Sequence, residues 1–182
     1  MSKIEHFETG RLLIREIKYE DFVSVHRIKS NHEVVRFLSW GPNDELQTRK
    51  ALEKQMTFQE DTDRTKFVLA IILKDTNELI GNCLLSIRDG GNGEIGYFFH
   101  RDYWGKGYGI ETAEALLKFG FNELKLHRIF ATADVDNVDS IKILRKLGMR
   151  QEGYFLKDQM VKGAWRDNVL YAILNEEYIN RF

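Results

Sequence analysis

The sequence contains one cysteine, Cys83, set inside the apolar run NCLLSI. Without a second thiol no disulfide forms within the chain and no zinc site rests on cysteine, a usage that fits a reducing cytosol. There is one proline, Pro42, and neither an internal repeat nor a low-complexity tract, so nothing reads as a flexible linker. No stretch approaches the roughly 20 apolar residues of a membrane span, and the opening MSKIEHFETGRLLIREI lacks the apolar segment of a secretory leader. Neither sign of charge prevails: 27 Lys+Arg less 28 Asp+Glu gives −1, with no long run of either. A basic nucleic-acid surface or a polybasic membrane patch therefore has no support. The five histidines follow no metal-ligand spacing. Together these absences predict a soluble, cytoplasmic protein with no nucleic-acid partner, no membrane partner and no metal. With 182 residues, 43% of them hydrophobic and 30% charged, the span 1–182 reads as a single domain able to bury a core.

What is present is periodic. RLLIREI alternates as a strand ending near Ile17, and YEDFVSVHRIKS places Phe22, Val25, His26 and Ile28 near one helical face with Asp21 as its cap. SWGPNDE breaks the chain before a polar helix from about Glu45 to Glu60. KFVLAIILK and LIGNCLLSI, joined by DTNE, read as a hairpin, and GEIGYFFH as a further strand. A helix over IETAEALLKFGFNEL, a strand RIFATADV and a helix VDSIKILRKLG follow. The segment GYFLKDQMVKGAWRDNVLYAIL closes the chain as a hairpin turning near Gly163. The predicted order βααβββαβαββ implies an α+β protein with a mixed sheet and helices on its faces.

Three glycines, Gly105, Gly107 and Gly109, alternate immediately before a helix. Glycine permits positive φ and removes the Cβ that keeps a ligand off the main chain. Amides converging there, with the helix N-terminus behind them, make an anion site suited to phosphate. Lys106 either adds charge or is an exposed loop residue, and Tyr108 packs at the loop. A glycine-rich turn with no ligand is the plainer reading of the same letters. The dinucleotide fingerprint fails because Ile110 stands where its last glycine belongs, and no Gly-Lys-Ser/Thr string supports a triphosphate loop.

YWGKGYGIETAEALLKFGF resembles the acyl-CoA-binding motif of the GNAT superfamily of N-acetyltransferases, Gln/Arg-x-x-Gly-x-Gly/Ala. Gly107 and Gly109 match its last two fixed positions, and Trp104 occupies the Gln/Arg position. That substitution is usual in the RimJ/RimL-like branch, which acetylates ribosomal-protein N-termini. GRLLIRE, EIGYFFH and LHRIFATADVDNVDSIKILRKLGMRQEG resemble the same branch in the same order, so the likeness spans nearly the whole chain. It implies a GNAT-type acyl-CoA N-acyltransferase fold, with a central, mostly antiparallel sheet that splays between EIGYFFH and RIFATADV. Acetyl-CoA would be the cofactor and CoA the product. The acceptor would be an amine, a protein N-terminus or a small molecule, and a homodimer is in keeping with a branch that often pairs.

The resemblance also assigns roles. The backbone around Tyr97, Phe98 and Phe99 pairs with the pantetheine arm, and the N–H near Phe98 stabilises the oxyanion. The stretch Trp104, Gly105, Lys106, Gly107, Tyr108, Gly109 and Ile110 holds the pyrophosphate. Asn137 hydrogen-bonds the arm or caps the following helix, or both. Ser140 matches the position that approaches the CoA sulfur; the position of the family's general-acid tyrosine is Leu144 here, so Ser140 or water takes that role. Glu94 aligns with a strand glutamate that serves as base, and as a bland alternative is a structural carboxylate. Phe37, Trp40 and Trp165 wall the acceptor site, and His26 faces that site or completes the core. A CoA-binding sensor without turnover is the reading from another class.

Overall fold

The computed structural model describes residues 6–180, so the leaderless opening read from the sequence falls partly on residues 1–5, outside the described residues. Eight strands form one sheet: β1 (His6–Glu8), β2 (Leu12–Glu16), β3 (Lys66–Leu73), β4 (Glu78–Arg88), β5 (Asn92–Phe99), β6 (Arg128–Asp134), β7 (Arg150–Val161) and β8 (Ala164–Leu174). Their spatial order is β1-β2-β3-β4-β5-β6-β8-β7. Every pairing is antiparallel except β5 with β6. The helices are α1 (Phe22–Lys29), α2 (Glu45–Thr57), α3 (Tyr108–Lys118), α4 (Val138–Lys146) and the short α5 (Asn175–Ile179). β1 and α5 go beyond the order expected from sequence; at three and five residues they are too short to show a period.

The sheet is buried on both faces, which explains the nearly continuous apolar letters of β3 and β4. Phe67, Leu69 and Ile71 of β3 point into the core shared with Ala113, Leu116 and Leu117 of α3. Ala70 and Ile72 point the other way, onto Val25 and Ile28 of α1 and Leu52 of α2. The start of α2 is fixed by a reciprocal cap: Asp44 accepts from the Gln47 N–H at 2.7 Å, and the Gln47 side chain accepts from the Asp44 N–H at 2.9 Å. Asp21, expected to cap α1, does not. Its carboxylate takes both terminal nitrogens of Arg15 at 2.8 Å and the Lys18 N–H at 2.8 Å, closing the turn before the helix. No helix of the described residues is long and apolar enough to cross a membrane.

Lys29, at the end of α1, is 4% exposed. Its ammonium lies 4.9 Å from the centroid of the Trp40 ring, and among the described residues no carboxylate pairs with it. Loss of solvation therefore pulls its pKa down to about 8. The sign follows from proton counting: between the folded value of about 8 and the ordinary value of 10.5, the unfolded chain binds more protons, so stability rises with pH across that window. The wild type is expected to gain about 2–3 kcal/mol over that range relative to Lys29→Met. Denaturant melts of both proteins at stepped pH values check this, and parallel pH profiles would refute it.

Candidate active site

β5 and β6 run side by side for three pairs only, Asn92 with Arg128, Gly93 with Ile129 and Glu94 with Phe130. Beyond Glu94, β5 keeps its pairing to β4 while β6 stays with β8, so the two strands part. Which main-chain groups face the gap follows from the antiparallel ladder. The His100 N–H donates to Ile80 O at 2.9 Å; with a period of two, His100, Phe98 and Gly96 turn their N–H and C=O groups to β4, while Phe99, Tyr97 and Ile95 turn theirs to the gap. The crowding of the Phe98 carbonyl against Gly81 agrees, a Cβ there meeting it at 2.6 Å. The N–H groups near Phe98 that open to the gap are therefore those of its neighbours, Tyr97 and Phe99. One of those groups is taken, since the Trp104 indole N–H donates to Phe99 O at 3.0 Å.

A cavity of about 420 Å³ occupies the gap, lined by Tyr97, Phe98, Phe99, Trp104, Gly105, Gly107, Tyr108, Gly109 and Ile110 together with Asn137, Ser140 and Phe37. It touches both layers. Tyr97 and Phe99 belong to the α3 side of the sheet and Phe98 to the α1–α2 side. Gly105 and Gly107 have φ of +73° and +83°, a region costly for other residues, and a Cβ on Gly105 would meet nothing within 4 Å. Gly109 serves a different end. It lies within α3, and a Cβ there would stand 2.8 Å from Ile143 Cδ1, so this glycine lets α3 and α4 approach. The Lys106 side chain lies over the Tyr103 ring at 5.3 Å and does not line the cavity. Asn137 caps α4, its Oδ1 accepting the Ser140 N–H at 3.3 Å.

The loop is braced from a distant part of the chain. Arg11 donates to Lys106 O at 2.9 Å and to Glu111 Oε2 at 2.8 Å, and stacks on Tyr108 with 4.5 Å from guanidinium carbon to ring centroid. Thr9 and the Arg11 amide donate to the other oxygen of Glu111, at 2.6 and 2.9 Å. Burial works against the charged form of Glu111, but these hydrogen bonds together outweigh it and hold the carboxyl below the ordinary glutamate value. No local pattern marks these residues, because the partners are about a hundred positions apart in sequence. Lys162, at the tip of the β7–β8 hairpin, is a second distant brace. Its ammonium donates to Val35 O, Leu38 O and Trp40 O at 2.8, 2.7 and 3.3 Å, fixing the segment that carries Phe37.

The structure does not bring the remaining candidates to the cavity. Glu94 lies on the Phe98 face of β5, paired with Arg88 at 3.0 Å from Nε. Trp40 packs edge-on against Phe98 at 5.4 Å and lies one layer behind the wall. His26 stacks on Phe22 and meets Thr48 Oγ1 at 3.0 Å through Nδ1. The Thr48 hydroxyl proton goes to Asp44 O, so Nδ1 carries a proton and donates. Trp165 is 58% exposed on β8.

The arrangement fits a CoA thioester: a free strand edge for the amide-bearing arm, a positive-φ amide cradle for the pyrophosphate, and the polar side chains of Asn137 and Ser140 on the cavity wall. Comparison with known proteins agrees. Residues 11–150 match the family model described as an acetyltransferase (GNAT) domain. The uncharacterized N-acetyltransferase YnaD of Bacillus subtilis strain 168 is 36% identical over 95% of this chain and 99% of its own. The crystal structure of a GNAT-family acetyltransferase from Bacillus anthracis superposes with a TM-score of 0.84 at 36% identity, covering 94% of this chain and 99% of that one. Spermidine N-acetyltransferase from Vibrio cholerae, solved with CoA and spermine, shares the fold at 19% identity and a TM-score of 0.83, with 94% and 100% covered.

Proposed function

We propose that this chain, which belongs to the GNAT acetyltransferase family and is an acetyl-CoA-dependent N-acetyltransferase, acetylates a protein N-terminal α-amine, as the RimJ/RimL-like branch does. The observation that carries the acetyl-CoA part of the reading is the parting of β5 from β6 after Glu94, in line with the Gly105–Gly107 turn; the acceptor rests on the charge of the cavity wall. In this reading the gap-facing amides of Tyr97 and Phe99 hold the arm and stabilise the developing oxyanion, and the amides from Gly105 to Ile110 hold the pyrophosphate. Acetyl-CoA supplies an acyl carbon activated by sulfur and a thiol that leaves. Asn137 and Ser140, together at the start of α4, flank the arm. Much of the rate comes from holding amine and thioester in one cleft.

Charge supports an α-amine over a polyamine. The carboxylates on the cavity wall are Glu33 and Asp139. Glu33 is paired with Arg101 at 2.8 Å and Asp139 with Lys142 at 3.3 Å. Against them the same wall carries Arg36, Lys142 and Lys146, a poor host for a multiply charged cation. Proton cost agrees. Freeing a lysine-like amine at pH 7 costs roughly 4–5 kcal/mol, an α-amine near pKa ~8 about 1.4. Glu94, the expected base, is engaged by Arg88, so the site suits an acceptor that needs little help.

Release of free thiol from acetyl-CoA, followed across lysine-free peptides with open N-termini, polyamines and small monoamines, tests the reading. Peptide turnover above that of spermidine is expected. Turnover of spermidine or a small amine with silent peptides would move the chain to the small-amine class, the class of the Vibrio cholerae spermidine N-acetyltransferase.

A further inference from the structure

We infer that the Tyr97 hydroxyl is the proton donor to the departing CoA sulfur, with the Ser140 hydroxyl as the neighbour that returns its proton. The inference rests on the reading of the cavity as a CoA slot. The helix position at which the family carries its acid holds Leu144, which is 1% exposed and packed in the core, so α4 offers no phenol there. Tyr97 stands on the facing strand, three residues past the last β5–β6 pair at Glu94, and lines the cavity. Its ring leans on Phe99, 6.3 Å between centroids, and lies beside Gly109, whose missing Cβ would sit 3.7 Å from Tyr97 Cε2. The hydroxyl is buried; among the described residues no group meets it in full hydrogen-bond geometry, and Ser140 is the side chain that interacts with it.

Tyr97 and Ser140 both line the cavity. Burial pushes the phenol pKa up to about 12, and the hydrogen-bonding interaction with Ser140 opposes this only in part. The group is therefore protonated at neutral pH, as a donor must be. The step balances as follows. The amine lone pair forms the C–N bond, the C–S bond breaks, and its electron pair takes the Tyr97 proton. The surplus proton of the amide nitrogen then passes through Ser140 to the phenolate, leaving the amide and a neutral thiol.

The test compares CoA with desulfo-CoA, which keeps every group but the thiol. Tyr97→Phe is expected to bind desulfo-CoA as the wild type does and CoA about tenfold more weakly. Its kcat should fall roughly 10²-fold while KM for acetyl-CoA stays within about twofold. Because the hydroxyl contributes no more than its interaction with Ser140, the variant should melt within a few degrees of the wild type. Ser140→Ala should lower kcat less, with the same ligand pattern. Unchanged kcat in folded Tyr97→Phe, or equal weakening of both ligands, would overturn the assignment and leave the ring a packing role. Failure of the wild type to bind either ligand would instead remove the CoA slot itself.

Discussion

Gly107→Val is expected to weaken CoA binding about 10²-fold, near 3 kcal/mol. The residue sits at φ +83°, ψ 2° as the N-cap of α3, a conformation that a β-branched side chain rarely tolerates. Its Cβ would also stand 3.3 Å from Arg11 Nη2, the guanidinium that holds Lys106 O on the far side of the loop. Relief of either strain rotates the peptide planes whose N–H groups form the cradle. Each charge-assisted amide contact contributes about 1.5–3 kcal/mol, so losing one or two accounts for the magnitude. Gly105→Ala separates strain from crowding, since its φ is +73° with nothing within 4 Å of the added Cβ; its effect should be several-fold smaller. Calorimetric titration of CoA into both variants decides. A folded Gly107→Val protein with unaltered affinity would show that the phosphates bind elsewhere.

Arg64→Leu is expected to cost about 3–5 kcal/mol of stability and roughly 10 °C in melting temperature. Arg64 and Glu16 are 3% and 5% exposed. The guanidinium binds the carboxylate through both terminal nitrogens, one at 3.0 Å, donates from Nε to Lys66 O at 2.9 Å, and covers the Phe67 ring. Removing it leaves a carboxylate buried beside apolar side chains with no counter-charge, which is the expensive outcome; removing both charges is far cheaper. The Glu16→Leu/Arg64→Leu double variant should therefore recover most of the loss. Thermal melts of the three proteins test this, and a single-variant cost under about 1 kcal/mol would mean that the pair is solvated.

The elements legible in the sequence are those whose cause is local. EIGYFFH reads as a nearly continuous apolar strand because one face of β5 packs on α3 and the other on α1 and α2. Asn137 reads as a cap because its side chain reaches an amide three residues on. The glycine string locates the loop, since positive φ at Gly105 and Gly107 is a property of single residues. The aromatics of the acceptor side were less legible. Phe37, Trp40 and Trp165 carry the same apolar signal, yet one lines the cavity, one lies behind Phe98 and one faces outward.

Composition and local pattern alone established an α+β chain with a phosphate-suited turn ahead of a helix, because propensity, alternation and glycine act over a few residues. Tertiary structure decided the remainder. It set which amides of β5 open to the gap, tied Glu94 to Arg88, joined Arg11 to Glu111 behind the loop, and brought Tyr97 and Ser140 together at the cavity. Strand register and contacts between residues far apart in sequence leave no short-range trace, since each depends on where the folded sheet carries both partners.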